Sequence, residues 1–239
     1  LISFISGHVQ GLDLASAGEL TLVNQSGATT LPMSFAGPGK RDDELLAAIE
    51  SDVTIHVESA GEADRLLTLA ARQGRRPKVA VRVNPPFGLK GSGMKMGGLA
   101  SPFGVDHDRA PDLIRRILAS GADWRGLHVY AGSQSLSADA LIESHRATIA
   151  LCAEIAVAAG VPPPEVNLGG GFGIPYFPGE QSLDVEAVGS ALHEALKRRP
   201  EVLEQTAFSI ELGRWLTGEA GVYLTRVVDR KVSRGRTFL

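Results

Sequence analysis

Three consecutive glycines, Gly169, Gly170 and Gly171, form the segment of this sequence best suited to binding an anion. They directly follow a short apolar run that ends in Asn167-Leu168, which predicts a loop at the end of a strand. Glycine tolerates positive φ and has no side chain, so successive backbone N–H groups can surround a phosphate. An ordinary tight turn explains the same run, and the glycines alone do not decide between the two interpretations.

A second polar pair, Glu211 and Arg214, lies where the next predicted strand ends. An arginine can donate two parallel hydrogen bonds to phosphate oxygens, and a glutamate at the C-terminal end of a strand can face into a site. An exposed ion pair is the alternative. The apolar residues 208–210 lead directly into Glu211 and favour the strand-end interpretation.

A third segment, residues 126–134, contains His128 and Tyr130 followed by a Gly-Ser turn with Ser133. The period of two along a strand places His128 and Tyr130 on the same face. An aromatic ring beside a hydroxyl could supply a stacking surface and a phosphate contact. A buried tyrosine and a core histidine are an equally good interpretation of this segment alone.

The composition and charge of the chain give no indication of a nucleic-acid or membrane partner. The chain has 239 residues and a formal charge of -3, so nothing indicates binding to nucleic acid or to an anionic membrane surface. Cys152 is the only cysteine and lies in an apolar helical run, which predicts packing and a reducing, cytoplasmic environment. No apolar run approaches the roughly 18–20 residues that a membrane span needs, and we expect no metal site.

Short apolar runs alternate with amphipathic helical stretches as far as residue 214, and seven of them are predicted strands: 12–15, 32–36, 53–57, 78–84, 124–131, 165–168 and 208–212. This alternation predicts an α/β fold, a (β/α)8 TIM-type barrel with its first strand missing. A doubly wound open sheet is the alternative. Beyond residue 214, the segments 221–228 and 231–239 are extended with no helix between them. We therefore expect an incomplete barrel domain over residues 1–217 and the truncated start of a β-rich C-terminal domain over residues 218–239.

These motifs together resemble the fold-type III decarboxylases of ornithine, arginine and diaminopimelate. The resemblance also includes Gly-Leu-Asp-Leu-Ala-Ser-Ala-Gly-Glu-Leu at residues 11–20 and Arg-Val-Asn-Pro at residues 82–85, and it covers nearly the whole chain. Three further segments, residues 35–40, 91–98 and 176–180, are similar to the branch associated with exosortase A and exopolysaccharide gene clusters.

The resemblance implies pyridoxal 5'-phosphate as cofactor and decarboxylation of a basic or diamino acid, such as diaminopimelate or ornithine, through an external aldimine. In this family a glutamate at the position of Glu211 keeps the pyridine nitrogen protonated, so that the ring accepts the charge of the carbanion. Arg214, Ser133 and the N–H groups of the three glycines would bind the phosphate. His128 is expected to lie among the cofactor contacts.

Three further residues are assigned by the resemblance. Asp13 matches an acid near the Schiff-base lysine, Glu19 matches an acid near the cofactor, and Arg82 matches an arginine that pairs with an acid on the second strand. Tyr130 occupies the place of the histidine that usually stacks on the pyridine. A tyrosine can stack there, but it cannot supply a positive charge.

The Schiff-base lysine of the family lies upstream of residue 11, and no lysine here follows its pattern; Lys90 and Lys95 are weak candidates in a glycine-rich loop. The family's catalytic cysteine and substrate acid come from the second domain, often from the partner in a homodimer. We therefore expect an inactive fragment of a longer enzyme. A racemase or single-barrel cofactor carrier is a weaker alternative because of Glu211 and the β-rich end. A non-catalytic regulator would explain the missing lysine.

Overall fold

The computed structural model of the protein describes residues 1–95, 97–98 and 100–239, without the side chains of residues 94 and 95. The segment 91–98, which carries part of the resemblance to the exosortase-associated branch, therefore lies partly outside the described residues. The side chain of Lys95 also lies outside them.

A curled parallel sheet is the centre of the fold. Its seven main strands follow the order β1-β2-β3-β4-β7-β9-β10, and each pairs in parallel with its neighbour. The strands in chain order are β1 (Leu12–Leu14), β2 (Met33–Phe35), β3 (Thr54–Val57), β4 (Lys78–Asn84), β5 (Met94–Lys95), β6 (Val105–Asp106), β7 (Asp123–Val129), β8 (Gly132–Ser133), β9 (Glu165–Asn167), β10 (Ala207–Ser209), β11 (Lys231–Ser233) and β12 (Arg236–Phe238). The expected partial (β/α)8 barrel is confirmed, and the open-sheet alternative is wrong.

Helices connect the main strands, as a parallel sheet requires. They are α1 (Ile2–Ile5), α2 (Ala17–Ser26), α3 (Asp42–Glu50), α4 (Ala60–Arg72), α5 (Ala110–Ala119), α6 (Ala138–Ala159), α7 (Val185–Lys197) and α8 (Gly213–Thr217), with a 3-10 turn at Glu201–Leu203. Serine caps begin two of these helices, because the Oγ atoms of Ser16 and Ser59 accept hydrogen bonds from the third residue of α2 and α4. Gly160 ends α6 with φ 76°.

The hydrophobic core lies between the sheet and these helices. Its largest fully buried side chains come from both layers, and they include Phe35, Leu45, Ile55, Leu66, Ile114 and Ile117. Cys152 belongs to this core, and burial raises its pKa to about 12, so the thiol is inert. This confirms the packing interpretation of the lone cysteine.

The end of the chain differs from the barrel. β11 and β12 form an antiparallel hairpin, and the residues from 219 to 239 are exposed. The division into domains at residue 217 stays a prediction. Among the described residues, no helix combines the length and apolar character that crossing a membrane requires.

Candidate functional site

The side chain of Asn167, at the end of β9, joins three parts of the candidate site. Its Nδ2 donates to Glu211 Oε1 at 2.9 Å and lies 3.5 Å from Asp13 Oδ1, while its Oδ1 accepts a hydrogen bond from Gly169 N at 2.8 Å. One buried amide therefore orients acids from both ends of the sheet and the start of the glycine run. Asn167 was not among the predicted site residues, although its place two residues before the glycines was the available signal.

The glycine run lies directly against Glu211. The pairing of β9 with β10 continues beyond both strands, because Leu168 N donates to Ser209 O and Glu211 N donates to Gly169 O, each at 2.9 Å. A Cβ on Gly170 would lie 2.5 Å from the carbonyl oxygen of Glu211. Within the described part of the chain, the Gly170 N–H donates to no protein acceptor. The segment therefore requires glycine and retains a donor for an anion, which fits a phosphate.

The loop that follows the glycines is held by the loop after β7. Ser135 N donates to Gly171 O at 2.8 Å, and Gly173 N donates to Ser135 O at 2.9 Å. The side-chain amide of Gln134 binds both backbone groups of Ile174, at 2.5 Å and 3.3 Å. These contacts fix the glycine run from the side opposite Glu211.

The carboxyl groups of Glu211 and Asp13 share an environment that favours their neutral forms. Burial raises the pKa of Glu211 to about 6, against the opposing charge of Arg82 and the hydrogen bond from Asn167. Asp13 lies on the edge strand β1 and is open to solvent on one side. Burial of its other side is the main cause that raises its pKa to about 7, and the negative charge of Glu211 is the second cause. The hydrogen bond from the Ser34 hydroxyl opposes the shift.

His128 and Tyr130 lie side by side, as the period of two along β7 predicts. Their ring centroids are 6.3 Å apart at an interplanar angle of 81°. His128 is 1% exposed, and its Nε2 lies 3.0 Å from Glu211 Oε1. Burial, with the charge of Arg82, lowers the pKa of His128 to about 3, so the ring is neutral. Burial and then the charge of Glu211 raise the pKa of Tyr130, which therefore keeps its proton.

Arg82 forms a buried ion pair, but with a different acid from the one expected. Its Nη1 lies 2.9 Å from Glu58 Oε1, and both side chains are nearly inaccessible. Glu58 follows β3, the neighbour of β4 in the sheet, so the expected pairing with an acid on the second strand is wrong. The guanidinium lies 4.9 Å from the ring of Phe103 and 5.9 Å from the ring of Tyr130. The ion pair therefore supports one wall of the site.

In the described part of the chain, neither Asn167, Asp13 nor Glu211 is hydrogen-bonded to the predicted residues Arg214, Ser133 and Glu19. Arg214, in the first turn of α8, donates to the Tyr176 hydroxyl at 2.9 Å. Ser133 lies in β8, where its carbonyl accepts from Gly93 N at 2.8 Å. The carboxylate of Glu19 accepts a hydrogen bond from the backbone N–H of Ala15, directly before the Ser16 cap of α2. Their roles toward a cofactor stay predictions.

The lysines whose side chains are described near the site are already engaged. Lys40 Nζ donates to Glu62 Oε1 at 2.7 Å and to the carbonyl oxygens of Gly37 and His56, each at 2.8 Å. All three of its N–H bonds are used, so this buried lysine is structural. Lys90 pairs with an exposed glutamate of α6, Glu143, at 2.8 Å.

Comparisons with known proteins identify the family of this chain. The family model described as pyridoxal-dependent decarboxylase, pyridoxal binding domain, matches residues 1–218. L-glutamyl-[BtrI acyl-carrier protein] decarboxylase of Niallia circulans is 37% identical over 234 residues, which cover 96% of this chain and 54% of the relative. Diaminopimelate decarboxylase of Methanothermobacter thermautotrophicus is 32% identical over 229 residues, 93% of this chain and 52% of the relative. The chain spans about half the length of these relatives.

Solved structures give the same result for the fold. Diaminopimelate decarboxylase from M. jannaschii in complex with L-lysine superposes with a TM-score of 0.78 at 26% identity, covering 88% of this chain and 49% of that chain. The Helicobacter pylori enzyme complexed with L-lysine gives a TM-score of 0.74 at 23% identity, with 88% and 52% coverage.

Proposed function

Because the chain belongs to the pyridoxal-dependent decarboxylase family, with pyridoxal phosphate as its cofactor, we propose that it forms the cofactor-binding part of an enzyme that decarboxylates an amino acid. The observation that carries the proposal is the position of Glu211. Its backbone is hydrogen-bonded to the glycine run, and its carboxylate is oriented inward by Asn167. An acid and an anion-binding loop are thereby held side by side, as a pyridine ring with a phosphate group requires.

Each residue has a role in this proposal. The N–H groups of Gly169, Gly170 and Gly171 bind the phosphate, assisted by Ser133 and Arg214, a grouping supported by the family resemblance. When bound, the cofactor withdraws the electron pair that carbon–carbon cleavage leaves on the substrate's α carbon.

The side chains around the ring have complementary roles. Glu211 holds a proton on the pyridine nitrogen, and it is mainly ionised above its pKa of about 6. Tyr130 offers a neutral ring for stacking. Asp13, His128 and Glu19 are proposed to lie around the cofactor, with Asp13 nearest to Glu211 through Asn167.

The substrate is proposed to be a basic or diamino acid, such as diaminopimelate or ornithine. Relatives named diaminopimelate decarboxylase support this choice. A second candidate is a glutamyl group carried on a protein, which the 37% identity to the L-glutamyl-[BtrI acyl-carrier protein] decarboxylase favours. Assays of free diamino acids against a carrier-linked glutamyl group distinguish the two. The exosortase-associated branch, the homodimer and the cytoplasmic location stay predictions.

The test is Glu211→Gln in the full-length enzyme, which keeps the size of the side chain and an oxygen that can accept from Asn167 but removes the charge. We expect carbon dioxide release to fall by about 100-fold or more, the usual effect of losing one preorganised electrostatic partner. Cofactor absorbance should show that the variant still binds pyridoxal phosphate. Glu219→Gln, at an exposed position eight residues later in the chain, is the matched control. Wild-type turnover by Glu211→Gln with bound cofactor would refute the proposal, and enantiomer exchange without carbon dioxide release would indicate a racemase.

A further inference from the structure

Two buried imidazole rings extend the site beyond Glu211. His56 on β3 and His128 on β7 are 5% and 1% exposed, and their Nδ1 atoms lie 3.0 Å apart. The other ring nitrogen of His128, Nε2, lies 3.0 Å from Glu211 Oε1. Ala80 is the register partner of His56 on the intervening strand β4, and its small side chain leaves space for the rings to meet. The result is a chain of three polar groups, His56–His128–Glu211.

The three groups His56, His128 and Glu211 share a limited number of protons. Burial and the neighbouring charges hold the pKa of both histidines below the ordinary value, so each ring is neutral and has a single N–H. The contact between the two Nδ1 atoms needs one proton, which belongs to one ring or the other. The 3.0 Å contact between Nε2 and the carboxylate also needs a proton, because two lone pairs at that distance would repel each other.

Only two arrangements satisfy both contacts. If His56 donates from Nδ1, His128 accepts there and carries its own proton on Nε2, which faces an ionised Glu211. If His128 donates from Nδ1, its Nε2 is bare, and Glu211 must be protonated. The tautomer of the histidine pair is therefore linked to the charge of Glu211. The Nε2–H direction lies outside normal hydrogen-bond geometry in this structure, so the contact acts mainly between a dipole and a charge.

The surrounding charges favour the first arrangement. The charges of Arg82 and Lys40 both disfavour a positive charge on the two rings. The charge of Glu58 favours a positive charge on His128, but it offsets only part of their effect. Burial raises the pKa of Glu211, but the charge of Arg82 and the hydrogen bond from Asn167 both stabilise its ionised form. The charge of Glu211 raises the pKa of Asp13, so the two acids disfavour each other's ionised forms.

We propose that His56 is a positioning residue: its Nδ1–H fixes His128 in the Nε2–H tautomer, which keeps Glu211 ionised for the pyridine nitrogen. The inference rests on the proposed role of Glu211. It explains why a histidine that does not touch Glu211 is buried at this position. The Nε2–H of His128 then stabilises the ionised carboxylate of Glu211, and no cation other than Arg82 is required for this.

The test compares His56→Phe with His56→Asn in the protein loaded with ¹⁵N-labelled pyridoxal phosphate. Phenylalanine preserves the ring but removes the donor, whereas the asparagine amide places a donor near the position of Nδ1. The ¹⁵N shift of the pyridine nitrogen reports its protonation. We expect His56→Phe to lose the protonated signal near pH 7 and to bind the cofactor about tenfold more weakly, as for a lost hydrogen bond to a charged group. His56→Asn should restore both properties.

The matched control is His145→Phe, because His145 is another buried histidine, 2% exposed, on α6. We expect its pyridine signal to match that of the wild type. If His56→Phe keeps the protonated signal while Glu211→Gln loses it, the inference is overturned and the role of Glu211 stands. If Glu211→Gln also keeps the signal, the proposed role of Glu211 itself fails.

A measurement on the unsubstituted protein covers the case in which His56→Phe does not fold. Long-range ¹⁵N–¹H spectra of the histidine rings distinguish the two tautomers. The inference requires an Nε2–H tautomer for His128 and an Nδ1–H tautomer for His56. An Nδ1–H tautomer for His128 would overturn it.

Discussion

At the scale of single residues, Asn167 links two acidic side chains whose negative charges repel each other. Its amide donates toward both Glu211 and Asp13, so one neutral side chain bridges the two carboxyl groups. Both pKa values are raised, which means that the folded protein holds protons that the unfolded chain would release. The pair therefore destabilises the fold at high pH, and that cost fits a site arranged for function.

Asp13→Asn should stabilise the protein at pH 8, because asparagine keeps an oxygen for the Ser34 hydroxyl and removes the repulsion with Glu211. An acid with a raised pKa lowers stability fully above its folded value of about 7, and this effect fades as pH falls toward 3.8. Solvent on one side of Asp13 limits the gain to roughly 0.5–1 kcal/mol. Urea unfolding at pH 8 and pH 5 measures the change. The exposed Asp108 serves as control through Asp108→Asn, and equal or lower stability of Asp13→Asn at pH 8 would contradict the account.

At the scale of elements, the site depends on loops that are bound to one another. The loop after β9 is hydrogen-bonded on one side to the loop after β7 and on the other side to the chain leaving β10. The position of the glycines is therefore set by both neighbours, and a change in the loop should also move Glu211.

Gly170→Ala tests this close packing. The added Cβ would lie 2.5 Å from the Glu211 carbonyl oxygen and 3.0 Å from the Tyr130 hydroxyl. We expect a loss of about 1–3 kcal/mol in unfolding free energy, typical of overpacking, together with weaker cofactor binding. Gly189→Ala in α7 is the control, because nothing lies within 4 Å of its added Cβ. That change should add about 0.5–1 kcal/mol. Wild-type stability and affinity in Gly170→Ala would show that the loop is not held as described.

At the scale of the whole molecule, the sequence predicts the order of the sheet but not its cross-strand partners. Apolar runs that alternate with amphipathic helical stretches identify the seven main strands, because periodicity is a local property. The contact between His56 and His128 joins residues 72 positions apart, and it depends on strand register, which no local pattern reveals. Arg82 stays a predicted site residue, and its ion-pair partner Glu58 was not predicted, for the same reason.

The central claim is that Glu211 meets the pyridine nitrogen while the glycine run binds the phosphate. A crystal structure of the protein with pyridoxal phosphate tests it most directly. The account predicts a carboxylate oxygen of Glu211 within about 3 Å of the ring nitrogen, and a phosphate oxygen within hydrogen-bond distance of the Gly170 N–H. A cofactor whose phosphate lies elsewhere, or whose ring nitrogen faces away from Glu211, would contradict it.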